Sequence, residues 1–251
     1  MLVRLQWRLK HAIALALAVA LASALGAVTG AVAALVRGAP GLDELRFDAR
    51  MTTFVLDRNG RVIRRLFVEH RIPISIDQMP RVLQEAVIAA EDANFEKHRG
   101  FDVLAILRAA WVDLRAGSVV QGGSTITQQL AKNLFLSHER TLARKLKEVV
   151  WAVQLERHYS KEEILEAYLN QIYFGEGAYG VEAAAQTYFG KHARDLTLPE
   201  AALLAGLIRN PTGYNPYRYP ERARARRNHV LDRMTEVGFI SPRRAQEAKQ
   251  Q

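Results

Sequence analysis

No cysteine occurs among the 251 residues of this chain. That excludes a disulfide framework and a cysteine-ligated metal, while leaving the compartment open. Low-complexity tracts and internal repeats are missing too, so a repeat or low-complexity architecture does not fit. Charge is missing over one long stretch, Ala12 to Val36. Over the whole chain the composition is that of a globular protein, 49% hydrophobic and 24% charged, and its length suits one large domain or a domain with a small appendage. The formal net charge of +9 makes anionic partners the natural ones: phosphates, an anionic lipid surface or nucleic acid.

The uncharged stretch narrows that choice. As a helix, residues 12–36 would reach about 37 Å at about 1.5 Å per residue. That suffices to cross a hydrocarbon core of about 30 Å with some tilt. Arg4, Arg8 and Lys10 precede it, so the positive-inside rule puts residues 1–11 in the cytoplasm and the rest outside. A cleavable signal peptide is the competing reading, with Ala22-Ser23-Ala24 as a cleavage site. The apolar run exceeds a signal h-region of about 7–15 residues, which favours an uncleaved anchor. Residues 37–50 form a linker containing Gly38, Pro40 and Gly41, and residues 51–251 form the external domain. External placement speaks against nucleic acid, and ERARARR (221–227) reads as a solvated helix face.

The domain opens with TTFVLDRNGRVIRRLFV, two β-type runs around an Asn59-Gly60 turn signal. Helical periodicity then predicts helices near 81–95, 102–116, 124–134, 139–157, 161–171, 178–188, 198–208 and 220–237. The fold class is therefore mainly α, with a short leading β-hairpin and one N-terminal transmembrane helix. In the second helix Leu104, Leu107, Trp111 and Leu114 share a stripe. That stripe faces either the core or a membrane interface.

Several clusters could carry chemistry. EDANFEKHRG (91–100) follows the apolar run VLQEAVIAA, so Glu91 sits at the end of a mostly buried helix. Helical spacing would put Glu91, Phe95 and His98 on one face, with Gly100 as the stop. A carboxylate in that position is a candidate for a raised pKa and proton transfer; the alternative is a solvated helix end. GGSTITQQLAKN (122–133) has Ser124 or Thr125 near a helix cap, then Thr125, Gln128 or Gln129, and Lys132 at helical spacing. It is not a phosphate loop, because Gly123 stands where the lysine should be, nor a nucleophile elbow, because position 126 is isoleucine. Arg144 and Glu148 form either an ordinary i, i+4 surface pair or, with Lys145, an anion site with a second carboxylate. Tyr168, Asn170 and the glycine-rich turn at 175–180 read as packing elements.

In this order and spacing the clusters resemble the peptidoglycan glycosyltransferase domain, glycosyltransferase family 51, of class A penicillin-binding proteins and monofunctional glycosyltransferases. The matching stretches are EDANFEKHRGFD, GGSTITQQLAKNLFL, RKLKE, ILEAYLNQIYFG with GAYGVEAAAQTYFGK, and LPEAALLAGLIRNPTGYNP, within residues 80–235. The hairpin FVLDRNGRVIRRL is similar to the leading segment of class A proteins. Ser-x-x-Lys, Ser-x-Asn and Lys-Thr-Gly do not occur, so no transpeptidase is expected in this chain. A natural short enzyme and a truncated class A protein both fit that pattern.

The resemblance implies a lysozyme-like, two-lobed α-helical fold at the bacterial inner membrane, with its catalytic domain on the periplasmic face. It implies lipid II and the growing glycan strand as substrates, joined by inverting β-1,4 transfer with release of polyprenyl pyrophosphate. Glu91 would then be the general base for the acceptor hydroxyl, by the logic of inverting glycosidases. Lys132, Arg144 and Lys145 would neutralise the pyrophosphate, with Arg140 a further candidate. Glu148 would stand near the leaving group, positioning cations, holding a divalent ion such as Mg²⁺, or assisting proton movement. Ser124, Thr125, Gln128, Gln129 and Asn133 would orient sugar and phosphate groups, while Asp92, Phe95 and His98 hold the Glu91 turn. No metal is required, because the donor is lipid-linked. Other cell-wall synthesis proteins are candidate partners. The competing functions are a non-catalytic membrane-anchored scaffold and a lytic enzyme on the same fold.

Overall fold

The computed structural model describes residues 53–56, 58, 62–66, 70–117, 123–135 and 141–251, with the isolated helical positions 19, 23, 26 and 30. The expected span 12–36 therefore lies outside the described residues apart from those four positions, as do the segments 1–11 and 37–50 and Arg140. Among the described residues no helix is long and apolar enough to cross a membrane.

The hairpin forms as its alternation predicts. Strand β1 (Thr53–Leu56) pairs antiparallel with β2 (Val62–Leu66), Thr53 opposite Leu66, with a register shift between Val55 and Leu56. A second small sheet was not evident from the sequence. In it β3 (His70–Arg71) runs parallel to β5 (Ala178–Tyr179), which pairs antiparallel with β4 (Tyr173–Gly175). Arg71 is 3% exposed, donates to the Asn170 carbonyl at 3.1 Å and lies over the Tyr179 ring. The side-chain amide of Asn170 brackets Ile74, accepting from its N–H at 3.0 Å and donating to its carbonyl at 2.8 Å. Together these contacts pin the approach segment to the helical body.

That body is built from α1 (Arg81–Glu91), α2 (Val103–Ala116), α3 (Ile126–Phe135), α4 (Leu142–His158), α5 (Lys161–Gln171), α6 (Val181–Phe189), α7 (Leu198–Ile208), α8 (Pro220–Val237) and α9 (Pro242–Lys249). Helices α5, α7 and α8 match their expected bounds, and each carries a start signal. Ser160 and Glu163 form a capping box on α5, as do Thr197 and Glu200 on α7, while Pro220 opens α8. Helix α9 was not predicted, although Ser241 caps it and Pro242 occupies its first turn.

Helix α7 is apolar nearly all round, with Leu198, Ala201, Ala202, Leu204, Ala205, Leu207 and Ile208 buried. Such a helix belongs at the centre, and its small residues let α1 and α8 approach closely. Helix α1 contributes Leu83, Ala86 and Val87, all fully buried. Each large side chain such as Leu83 or Leu204 contributes about 1.5–3 kcal/mol on leaving water.

Helix α1 ends at Glu91, four residues earlier than its periodicity predicts. Asp92 leaves helical geometry at φ −158°, ψ 75°, and residues 92–100 form a tight series of turns. Glu91, Phe95 and His98 therefore do not share a helix face; Phe95 is fully buried in the core instead. Gly100 closes the series at φ +94°, against the backbone of α4. A Cβ there would lie 2.8 Å from the carbonyl carbon of Ala152 and from the amide nitrogen of Val153.

Gly100→Ala should consequently destabilise the chain by about 3 kcal/mol, combining left-handed strain with overpacking. Chemical denaturation of the full chain in detergent checks this; an unchanged midpoint would contradict the close approach.

Candidate active site

Glu91 stands at the C-terminal end of α1, partly buried, where the apolar stripe of that helix meets a cleft of about 780 Å³. Its Oε2 accepts a hydrogen bond from Nε2 of Gln129 on α3 at 2.9 Å. The Gln129 Oε1 in turn accepts from the hydroxyl of Tyr168, a fully buried residue of α5, at 3.0 Å. Burial pushes the Tyr168 phenol well up, helped by the Glu91 and Asp92 charges, so it remains a neutral donor. A donor on one side and a carboxylate on the other settle which way the Gln129 amide points. Burial likewise raises the Glu91 carboxyl above its ordinary value. The Gln129 hydrogen bond and the cations Arg226 and Arg209 pull it back, and Asp92 adds a smaller upward push.

Asp92 turns away from Glu91 and fastens the end of α1 to the start of α3. Its Oδ2 accepts from the Ile126 amide at 3.0 Å and lies 2.9 Å from Nε2 of His98. Glu156, on the far side of the His98 ring, accepts from the Thr127 hydroxyl at 2.6 Å and from Lys161 Nζ at 2.8 Å. Lys161 also donates to the His98 carbonyl at 2.8 Å and sits 4.5 Å from the centre of the Phe95 ring. Asp92, Phe95 and His98 thus hold the turn behind Glu91.

The N-terminus of α3 is closed by a capping box. Thr125 Oγ1 accepts from Gln128 N–H at 3.1 Å, and Gln128 Oε1 accepts from Thr125 N–H at 3.2 Å. The Thr125 hydroxyl donates to the Gly100 carbonyl at 2.8 Å. Thr125 and Gln128 are buried in these roles, with Gln128 fully so. Ser124 lines the cleft, and its Oγ accepts from Lys145 Nζ at 2.7 Å. Lys145 also donates to Glu148 Oε2 at 2.7 Å, while Arg144 grips Glu148 Oε1. Glu148 is 3% exposed, so this is no ordinary surface pair. A divalent ion at Glu148 would have to compete with both cations. Among the described residues no group of three or more His, Asp and Glu side chains is arranged to hold a metal.

Lys132 and Asn133 lie on the exposed side of α3, one turn beyond Gln129, and neither lines the cleft. Arg140 lies outside the described residues.

The opposite wall was missed in the sequence. Arg209, just past α7, and Arg226, His229 and Arg233 on α8 line the same cleft as Glu91. The three α8 residues recur at i, i+3 and i+7, one helical stripe. The solvated-face expectation for residues 221–227 is therefore corrected at Arg226, which is partly buried and faces the cleft. Desolvation lowers the His229 pKa, with Arg226 and Arg233 adding to the effect. The packing assignment of Tyr168 also changes, through its bond to Gln129. On α2, Trp111 and Leu114 are 56% and 75% exposed, with Arg115 over the Trp111 ring. That end of the stripe faces outward rather than into the core.

The family model described as transglycosylase matches residues 59–235. Penicillin-binding protein 1A of Aquifex aeolicus is 57% identical over 194 residues, covering 77% of this chain and 27% of that protein. Penicillin-binding protein 1F of Bacillus subtilis is 45% identical over 204 residues, covering 81% and 29%. For penicillin-binding protein 1A of Escherichia coli the figures are 50% over 200 residues, covering 80% and 23%. A crystal structure of penicillin-binding protein 1A from Haemophilus influenzae aligns over 80% of this chain and 20% of its own, at 26% identity and a TM-score of 0.46. This chain spans about a quarter of the length of these curated relatives. It belongs to the transglycosylase family of the class A penicillin-binding proteins.

Because folding raises the Glu91 pKa, the folded chain holds that proton more tightly than the unfolded one, and stability falls as pH rises through the interval between the two values. Glu91→Gln removes the buried charge. Its melting temperature should exceed the parent's at neutral pH, and the gain should vanish below the ordinary carboxylate range. Identical melts at both pH values would contradict the burial of Glu91.

Proposed function

We propose that this chain polymerises lipid II into peptidoglycan glycan strands, by inverting β-1,4 transfer with release of polyprenyl pyrophosphate. The observation that carries the reading is Glu91: a desolvated carboxylate, oriented by Gln129, opening onto a cleft whose walls carry cations. An acceptor sugar hydroxyl is a poor nucleophile at neutral pH and needs a base within hydrogen-bond reach. A carboxylate of raised pKa is a stronger base than an ordinary one, yet Arg226 and Arg209 favour its ionised form.

The hydroxyl oxygen attacks the anomeric carbon of the growing strand as Glu91 takes its proton. The bond to pyrophosphate breaks on the opposite face, as single displacement requires. Pyrophosphate needs charge neutralisation more than protonation. Lys145 and Arg144 supply it beside Ser124, held at the cleft edge by Glu148. Lys132, exposed one turn beyond Gln129, meets the outer part of the same lipid-linked group. Asn133 and Ser124 orient sugar and phosphate oxygens. Thr125 and Gln128 act indirectly, by fixing the start of α3.

The cleft between the α3 wall and the α7–α8 wall supports the lysozyme-like, two-lobed arrangement. Outward-facing Trp111 and Leu114, with Arg115 beside them, suit a membrane interface, where a lipid-borne substrate would arrive. The domain accordingly works on the periplasmic face of the inner membrane, tethered by residues 12–36.

Purified full-length protein should convert labelled lipid II into glycan strands and leave finished cell wall intact. Glu91→Gln should lower polymerisation about 100- to 10,000-fold while retaining lipid II binding. Wild-type rates in that variant would remove the base assignment, and cleavage of finished wall would favour a lytic enzyme. Gln129→Leu removes a hydrogen bond that lowers the Glu91 pKa, so the acidic limb of kcat/KM should move to higher pH. An unmoved limb would place the controlling ionisation elsewhere.

A further inference from the structure

We propose that Tyr168 is a positioning residue for Glu91: its hydroxyl, acting through Gln129, stops the side-chain amide from turning its oxygen toward the carboxylate. That Glu91 is the base of the reaction rests on the polymerase reading; the relay itself rests on the geometry.

Three helices meet in this relay. Gln129 lies 38 residues after Glu91 and 39 before Tyr168 in the chain. Its amide spans the gap between them, Nε2 donating to Glu91 at 2.9 Å and Oε1 accepting from the Tyr168 hydroxyl at 3.0 Å. Both residues are firmly seated. The Gln129 N–H donates to the Thr125 carbonyl at 3.0 Å, in the first turn of α3. The Tyr168 carbonyl accepts from the Ile172 N–H at 3.0 Å, where α5 closes, and the residue is fully buried in the core. Groups carried on helices in this way keep their geometry more closely than groups on loops.

Rotating the Gln129 amide by half a turn about its last bond would exchange its two ends. The amide oxygen would then face the Glu91 carboxylate, acceptor against acceptor, and a proton on Glu91 would relieve the repulsion. The rotated amide thus favours the carboxylic acid, which cannot take a proton from a substrate hydroxyl. Tyr168 opposes that rotation. With the amide nitrogen facing it, the phenol proton would lose the acceptor it has in Gln129. A buried donor left unpaired is costly. Nor can the phenol shed its proton instead, because burial raises its pKa well above the ordinary value. Donation to Oε1 also polarises the amide, which strengthens its bond to Glu91. A phenylalanine would fill the same core space and supply none of this.

The test reads Glu91 in two ways, in full-length protein in non-ionic detergent. The ¹³C signal of its carboxyl, identified by its loss in Glu91→Gln, should titrate at higher pH in Tyr168→Phe than in the parent. The acidic limb of kcat/KM for lipid II polymerisation should move with it. Below the limb kcat/KM should fall about tenfold, the scale of one hydrogen bond, and the loss should shrink as pH rises. In a Gln129→Leu background the same substitution should shift neither quantity further. Equal Glu91 titrations in Tyr168→Phe and parent would overturn the relay and leave Tyr168 a packing residue. A further shift in the Gln129→Leu background would overturn it too. Should Tyr168→Phe fail to fold, the parent decides. Its Gln129 Nε2 signal, identified by its loss in Gln129→Leu, should follow the Glu91 carboxyl through one midpoint; a signal indifferent to that titration would overturn the relay. A Glu91 midpoint that moves while the kinetic limb stays would strike the base assignment and leave the relay standing.

Discussion

The site depends on one carboxylate that ties two helices together. Asp92 stops α1 one residue after Glu91 and accepts the first amide of α3. Two constraints meet in that residue. Helix α1 must end where its apolar stripe runs out, and the exposed amides of α3 need an acceptor with negative charge. Satisfying both brings Glu91 to one cleft with Ser124, thirty-three residues further along the chain, and within hydrogen-bond reach of Gln129. His98 and the Glu156–Lys161 pair brace the knot from behind.

Around that knot the electrostatics is a balance of opposed effects. Burial raises the Glu91 pKa and so favours its protonated form. A hydrogen bond from Gln129 to one carboxylate oxygen and the field of two arginines favour the ionised form. Glu148 illustrates the other solution to burying a carboxylate, with one cation on each oxygen. Two acids on separate helices therefore stand in different surroundings: Glu148 has a cation on each oxygen, and Glu91 is open to the cleft.

Much of the fold was legible because its signals are local. Capping boxes and prolines set the starts of α5, α7 and α8, and apolar periodicity set their length. The overrun of α1 has a different origin. Residues 91–95 carry no breaker, and the Asp92 contact that accompanies the stop is with a residue thirty-four positions away. Glu91, Ser124, Lys145 and Glu148 were recognisable from motif order, and the structure brings them to one region. Arg226 was not. A stripe of arginines looks the same whether it faces water or a carboxylate, and only packing against α7 tells the two apart. Tyr168 was hidden for a similar reason, since a fully buried tyrosine reads as core until its hydroxyl is seen to reach Gln129.

Gly206 carries a consequence for engineering. A glycine inside a core helix costs about 1 kcal/mol in helix propensity relative to alanine, which makes it an obvious target in any stabilisation campaign. Here the missing methyl is the space through which Arg226 crosses α7. A methyl added there would stand 3.0 Å from the Arg226 side chain, so crowding opposes the gain in helix propensity. Position 206 thus marks where backbone preference and the room a neighbouring arginine needs pull the same residue in opposite directions.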